Sequence, residues 1–97
     1  MRVIALRTLR EFWRSHPDAE VSLRAWYAIA RRAVWSRPAE IKADYRNASF
    51  IAGNRVVFNV KGNDYRLVTA VHYNRGAMFV RFIGAHREYD RIDAAKI

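Results

Sequence analysis

The sequence predicts an α+β fold, with two N-terminal helices packed on one face of a small antiparallel β-sheet meander and a short C-terminal tail. Three observations carry this reading. Leu23, Trp26, Tyr27, Ala30 and Val34 recur at helical spacing. From Ala48 onward the pattern changes to short runs rich in Val, Phe and Tyr. Turn chemistry separates those runs, at Gly53-Asn54, Gly62-Asn63 and Asn74-Arg75-Gly76.

Each element follows in order. Val3-Ile4-Ala5-Leu6 reads as a short strand. Thr8 and Glu11 have capping-box spacing, so a first helix is expected from Thr8 to about Ser15. Pro17 suits the first position of a second helix, and Asp18 and Glu20 suit the positive end of its dipole. That helix should end near Trp35, before Ser36-Arg37-Pro38. Residues 38–46 read as a connecting segment with at most one helical turn. Strands are expected at Phe50-Ile51, Val56–Val60, Tyr65–Val71 and Phe79–Ile83, and after Gly84 a short polar tail with room for a helical turn.

At 97 residues and 52% hydrophobic content the chain can bury one core, so a single domain over residues 1–97 is expected. A disordered basic tail is excluded on the same ground. The absence of cysteine excludes a disulfide framework, a thiol nucleophile and a cysteine zinc site. No apolar run approaches the roughly 20 residues of a membrane helix. Charge interrupts the first seven residues too early for a signal peptide, so a cytoplasmic protein is expected.

The net charge is +9, from 18 basic against 9 acidic residues. It is spread along the chain, so the folded surface itself is basic. Such a surface calls for a polyanionic partner, and nucleic acid is the commonest. Fifteen of the cations are Arg, whose planar fork suits phosphate, although an Arg-rich genome explains that ratio as well.

Hairpin geometry assigns faces. A two-residue loop at Gly62-Asn63 pairs Asn59 with Arg66, Phe58 with Leu67 and Val57 with Val68. A two-residue loop at Arg75-Gly76 pairs Ala70 with Arg81 and Thr69 with Phe82. Paired residues share a face. Val56, Phe58, Val60, Tyr65, Leu67, Val71, Val80 and Phe82 then form the core face. Asn59, Lys61, Arg66 and Arg81 gather on the opposite face, with Val57, Val68, Phe79 and Ile83 between them. A one-residue change in loop length would flip a strand and disperse this group. Arg on an open sheet face is often merely solvated or paired with an acid, but here Asp64 is the only nearby acid by parity.

No paired-carboxylate motif, Gly-rich phosphate loop or nucleophile elbow is present. His16, His72 and His86 are too scattered for a metal motif, so neither a metal nor another cofactor is expected. RNA cleavage needs none. The substrate's 2′-hydroxyl can attack the adjacent phosphate if one group takes its proton, another protonates the leaving oxygen and cations stabilise the phosphorane. Histidine is the side chain type suited to proton transfer near neutral pH, which singles out His86, and Tyr89 lies close by in sequence. Taken singly, a surface His and a packing Tyr are the blander readings.

The stretch Asn54–Val68 resembles the HigB family of type II toxins. So do Phe79–Ile92, with its His86-Arg87-Glu88-Tyr89-Asp90 ending, and Arg37–Tyr45. The resemblance implies a RelE-like fold and a ribosome-dependent endoribonuclease, an mRNA interferase that cuts translated mRNA. It implies a HigA-type helix-turn-helix antitoxin, through which alone operator DNA would be contacted. It assigns His86 to proton transfer, Arg66 and Arg81 to the phosphate, Tyr89 to stacking or proton transfer and Lys61 to support. Asn59, Lys61, Arg66, Arg81 and Arg87 are the expected RNA contacts. Ala85 departs from the family, which often has Thr there, and removes a hydroxyl from the site.

Two other readings stand beside this one. A non-catalytic RNA- or ribosome-binding module would use the same basic face, with Phe79 and Tyr89 as stacking platforms. A regulatory protein would act mainly through its antitoxin-like partner.

Overall fold

The computed structural model describes residues 1–97. Five strands form one mixed sheet: β1 (Arg2–Ile4), β2 (Ser49–Ile51), β3 (Arg55–Val60), β4 (Tyr65–His72) and β5 (Ala77–Ala85), in the spatial order β1-β5-β4-β3-β2. Strands β2 to β5 are the expected antiparallel meander. β1 adds a parallel edge beside β5, which corrects the purely antiparallel sheet. The residues that make it a strand, Val3 and Ile4, pair with Met78 and Phe79.

Four helices accompany the sheet: α1 (Leu6–Ser15), α2 (Glu20–Arg32), α3 (Pro38–Asp44) and α4 (His86–Tyr89). Pro17–Ala19 is a separate 3-10 turn between α1 and α2. Helix α1 starts before Thr8, with Ala5 at the cap and no side-chain capping bond, so the Thr8–Glu11 signal does not mark its start. Helix α2 ends at Arg32, because Ala33 turns extended, and Val34 is left 88% exposed instead of joining the core. Residues 38–44 form a full helix rather than a connecting turn. Pro38 opens it, Glu40 Oε1 accepts from Ser36 N at 2.6 Å and Ser36 Oγ at 2.8 Å, and Trp35 Nε1 donates to Asp44 Oδ2 at 2.9 Å. Those Ser36 bonds hold the Glu40 carboxyl below its ordinary range.

The core lies between the helices and one sheet face. Leu9 and Trp13 of α1, and Leu23, Trp26 and Ala30 of α2, are buried at i, i+3 and i+4 spacing. They meet Val56, Phe58, Val60, Tyr65, Leu67, Val71 and Met78. Phe58, 1% exposed, is met edge-on by Trp26 at 5.3 Å and Tyr45 at 5.2 Å. Such aromatic edges add to the burial term and lock the packing.

The β3–β4 register is as expected, with Asn59 opposite Arg66 and Val57 opposite Val68. The β4–β5 register is not. The turn is centred on Asn74-Arg75, one residue earlier than Arg75-Gly76, with Gly76 N donating to the Tyr73 carbonyl at 3.2 Å, and Ala70 pairs with Phe79 and Thr69 with Val80. A bulge at Val68/Thr69 then makes Arg81 the extra residue, after which Val68 pairs with Phe82 and Leu67 with Ile83. An extra residue reverses the alternation beyond it. Phe82 therefore leaves the core face and packs near Val57 and Val68, whereas Ile83 packs against the main core.

The outer face is only partly open. Val57, Val68 and Ala94 are buried together, with Ile51, Phe82, Tyr89, Ile92 and Ile97 around them. The segment after α4 thus crosses the outer face of β3 and β4. Arg55 Nε donates to the Ile97 backbone oxygen at 2.9 Å and fastens it.

Candidate active site

The site is built where β4 begins and β5 ends. Arg66 sits opposite Asn59 on one side and Gly84 on the other. Its Nη1 donates to the Asn63 carbonyl at 3.0 Å and to that of Tyr65 at 3.3 Å. That leaves half the guanidinium fork uncommitted, which is the half a phosphate needs. Gly84 presents no side chain beside it. A Cβ there would come within 2.6 Å of Phe82 Cζ, so the Phe82 ring fills that space instead.

Helix α4 begins immediately after β5. Glu88 Oε1 accepts from the Ala85 backbone N at 2.8 Å, half of a capping box. The other half is missing, since Ala85 has no hydroxyl. The His86 N–H donates to the Asp64 carbonyl at 3.3 Å, bringing α4 against the β3–β4 turn. His86 Nδ1 lies 3.2 Å from Asp90 Oδ2. Both side chains are more than half exposed. A carboxylate on Nδ1 leaves Nε2 as the nitrogen that can exchange a proton with a substrate.

Arg81 lies at the bulge, exposed, with its guanidinium 5.5 Å from the Phe79 ring centroid. It is three residues from Gly84, about 10 Å along the strand. The backbone positions of Arg66 and Arg81 are thus separated along the sheet. Arg87 is exposed on α4. None of these three arginines is in an ion pair.

Lys61 departs from the expected group. Its backbone is left-handed, φ +52°, so strand alternation stops there. Its Nζ lies 2.9 Å from Asp18 Oδ2 and 3.5 Å from Asp64 Oδ2. The ammonium is drawn to the helix side and neutralised. Hydrogen bonds from Lys61 and Tyr65 hold the Asp18 carboxyl below its ordinary range, and the same Asp18 bonds push Lys61 and Tyr65 up.

Asn59 stays on the outer face, with Nδ2 3.3 Å from Asn63 Oδ1. Tyr89 is half-buried against Val57 and Val68, so its ring anchors the tail as well as bordering the site. The structure therefore groups Arg66, Asn59, His86 and Tyr89, sets Arg81 further along β5 and turns Lys61 away. Sequence reasoning missed Asp90 as a partner of His86. The signal was present, because residues four apart on a helix are neighbours. The other histidines are elsewhere: His16 stacks on Phe12 at 4.1 Å, and His72 meets Phe79 edge-on at 5.2 Å.

The α+β fold is compatible with a RelE-like protein, and it carries a basic sheet face, an arginine without an acid partner and a histidine held by a carboxylate. The family described as HigB_toxin, the RelE-like toxic component of a toxin–antitoxin system, matches residues 19–92. The chain belongs to this HigB toxin family. It is similar to the mRNA interferase HigB of Escherichia coli O6:H1, 27% identical over 94 residues, covering 95% of this chain and 91% of that one. It is 26% identical over 93 residues to the mRNA interferase toxin HigB of Escherichia coli K12 and to the mRNA interferase HigB of Shigella flexneri. In both cases the match covers 93% of this chain and 88% of the relative.

Proposed function

We propose that this toxin is an endoribonuclease that cuts translated mRNA on the ribosome. The 2′-hydroxyl of the nucleotide before the cut attacks the adjacent phosphorus, and the bond to the 5′-oxygen of the next nucleotide breaks. A 2′,3′-cyclic phosphate and a 5′-hydroxyl result. His86 moves a proton in this exchange, held by Asp90 with Nε2 toward the RNA. Arg66 meets the charge that develops on the phosphorane, where a fixed cation lowers the barrier most. Arg81 holds a neighbouring phosphate, Arg87 and Asn59 contact the RNA, and Tyr89 stacks or relays a proton. Lys61 contributes only once it releases Asp18. The substrate supplies its own nucleophile, so no step calls for a metal.

The observation that carries this reading is the pairing of His86 with Asp90 beside an Arg66 that has no acid partner. The acidic or apolar surfaces of a HigA-type antitoxin, acting in the cytoplasm, would neutralise such a toxin and link it to operator DNA. The test is inducible expression of the wild-type chain and of His86→Ala, with mapping of mRNA 5′ ends. New ends inside coding regions for the wild type alone are expected. Equal toxicity of the two proteins would remove His86 from the mechanism. RNA binding without new ends would favour a non-catalytic module.

A further inference from the structure

The largest cavity of the molecule, about 430 Å³, opens beside Asn59 at the edge of β3. It exists because β2 reaches only as far as Val57, leaving Phe58–Val60 without a neighbour on that side. The half-buried Tyr45 ring supplies the aromatic part of its wall, packed edge to face at 5.2 Å on Phe58 of the core beneath. Asp44, Arg46, Asn47 and Asn59 supply its polar rim, and the Asp44 carboxylate is engaged by Trp35 Nε1 at 2.9 Å. Neither Arg46 nor Asn47 uses its side chain in a hydrogen bond or ion pair within the chain. The Tyr45 hydroxyl is buried and has no partner. Burial, and to a lesser degree Asp44, push that phenol up to about 12, so it stays protonated.

We propose that this cavity is a nucleobase subsite, in which Asn47 and Asn59 read the edge of a base next to the cleaved phosphate. This rests on the ribonuclease reading above. Asn59 is the direct cross-strand partner of Arg66. A nucleotide whose phosphate sits on Arg66 needs to cross only one strand spacing, about 5 Å, to reach the rim. Aromatic walls with amide side chains are how single-stranded RNA bases are held and distinguished. The amide-rich rim and the free Arg46 favour a nucleotide over a peptide strand laid on the same edge.

Two measurements decide the point. In the first, mRNA 5′ ends are mapped for wild type, Asn47→Ala and Asn74→Ala, the last a control in the distant β4–β5 connection. Asn47→Ala is expected to reduce the wild-type base preference beside the cut by about fivefold or more, with Asn74→Ala unchanged. Cuts by Asn47→Ala with the wild-type preference would overturn the subsite while leaving the ribonuclease reading intact. No cuts by the wild type would instead sink that reading. The second measurement titrates AMP, GMP, CMP, UMP and ribose 5-phosphate into ¹⁵N-labelled His86→Ala protein, independently of cleavage. Shifts of the Asn47 and Asn59 side-chain amides by one nucleotide, and not by the sugar phosphate, are expected. Equal shifts of those amides by the sugar phosphate, or no shift with any of the four nucleotides, would overturn the proposal.

Discussion

Lys61 Nζ lies 2.9 Å from Asp18 Oδ2, which ties the turn between β3 and β4 to the 3-10 turn between the first two helices. Tyr65 donates to the same carboxylate at 2.8 Å. The contact is local electrostatics with a long-range effect, since it holds the sheet end that carries Arg66 against the helices.

That carboxylate makes stability depend on pH with a definite sign. The Asp18 carboxyl is depressed below 3.8 in the folded protein. Its contribution is therefore fully present above about pH 4 and is lost as pH falls through the folded value. Tyr65 is raised above 10.0, so its contribution is full below about pH 10 and fades as the phenol ionises at higher pH. Denaturant melts of wild type and Asp18→Asn should differ between pH 5 and 9 and converge as pH drops toward 3, within the uncertainties of such melts. A difference that grows on acidification would refute the assignment.

Gly84 should not tolerate a side chain. Its Cβ would sit 2.6 Å from Phe82 Cζ. The ring is half-buried among Val57 and Val68 and cannot move freely. Gly84→Ala is expected to cost about 1–3 kcal/mol and to reduce toxicity by displacing Phe82 toward Arg66. The double variant Gly84→Ala, Phe82→Leu should recover part of the stability. Unchanged melting of the single variant would show that Phe82 yields at no cost.

Asp90→Asn should lower the cleavage rate while the protein stays folded. A buried carboxylate in this role is worth about 10⁴ in rate. The His86–Asp90 pair is more than half exposed, so a loss of roughly tenfold is expected. RNA affinity should stay near the wild-type value, because Asp90 orients His86 and does not itself face the substrate. A wild-type rate for Asp90→Asn would remove Asp90 from the site.

Arg66 and Arg81 should separate in their effects. Arg66→Lys removes the bidentate fork and should reduce the chemical step, with RNA affinity nearly unchanged. Arg81→Ala should weaken binding and lessen its salt dependence by about one ion. Single-turnover cleavage and binding titrations over a salt series distinguish them. Equal changes in both quantities for both variants would contradict a division between reacting and neighbouring phosphates.

Burial of Phe58 is the most expensive single contact to lose. Phe58→Ala is expected to cost about 3–5 kcal/mol, since Trp26 and Tyr45 pack on its edges. Thermal melting of this variant against Phe50→Ala, exposed on β2, should show a large effect for the first and a small one for the second.

Much of the site was legible in the sequence. Gly62-Asn63 placed Asn59 opposite Arg66, because a tight turn transmits its register directly into the strands it joins. His86 could be singled out by type and by the ending it shares with the HigB family. Arg81 was assigned to the right face through the wrong partner: moving the turn by one residue shifts cross-strand partners by two, which keeps every side chain on its face as far as the bulge. Beyond it Phe82 and Ile83 exchanged faces. Nothing in a run of alternating apolar residues marks where a bulge falls. Asp90 went unnoticed because four residues of helix after a strand carry little periodicity.

The sequence by itself determined the first two helices and the order of the strands, the basic surface, the β3–β4 register and the family. These are properties of local spacing, turn residues and net charge, which need no knowledge of distant neighbours. Tertiary structure alone decided that β1 joins β5 in parallel, that Lys61 turns to Asp18 and that residues 89–97 cover Val57 and Val68. Each of these depends on contact between segments remote in the chain. There the free energy of burial or ion pairing, rather than local preference, selects among backbone conformations that the sequence leaves equally open.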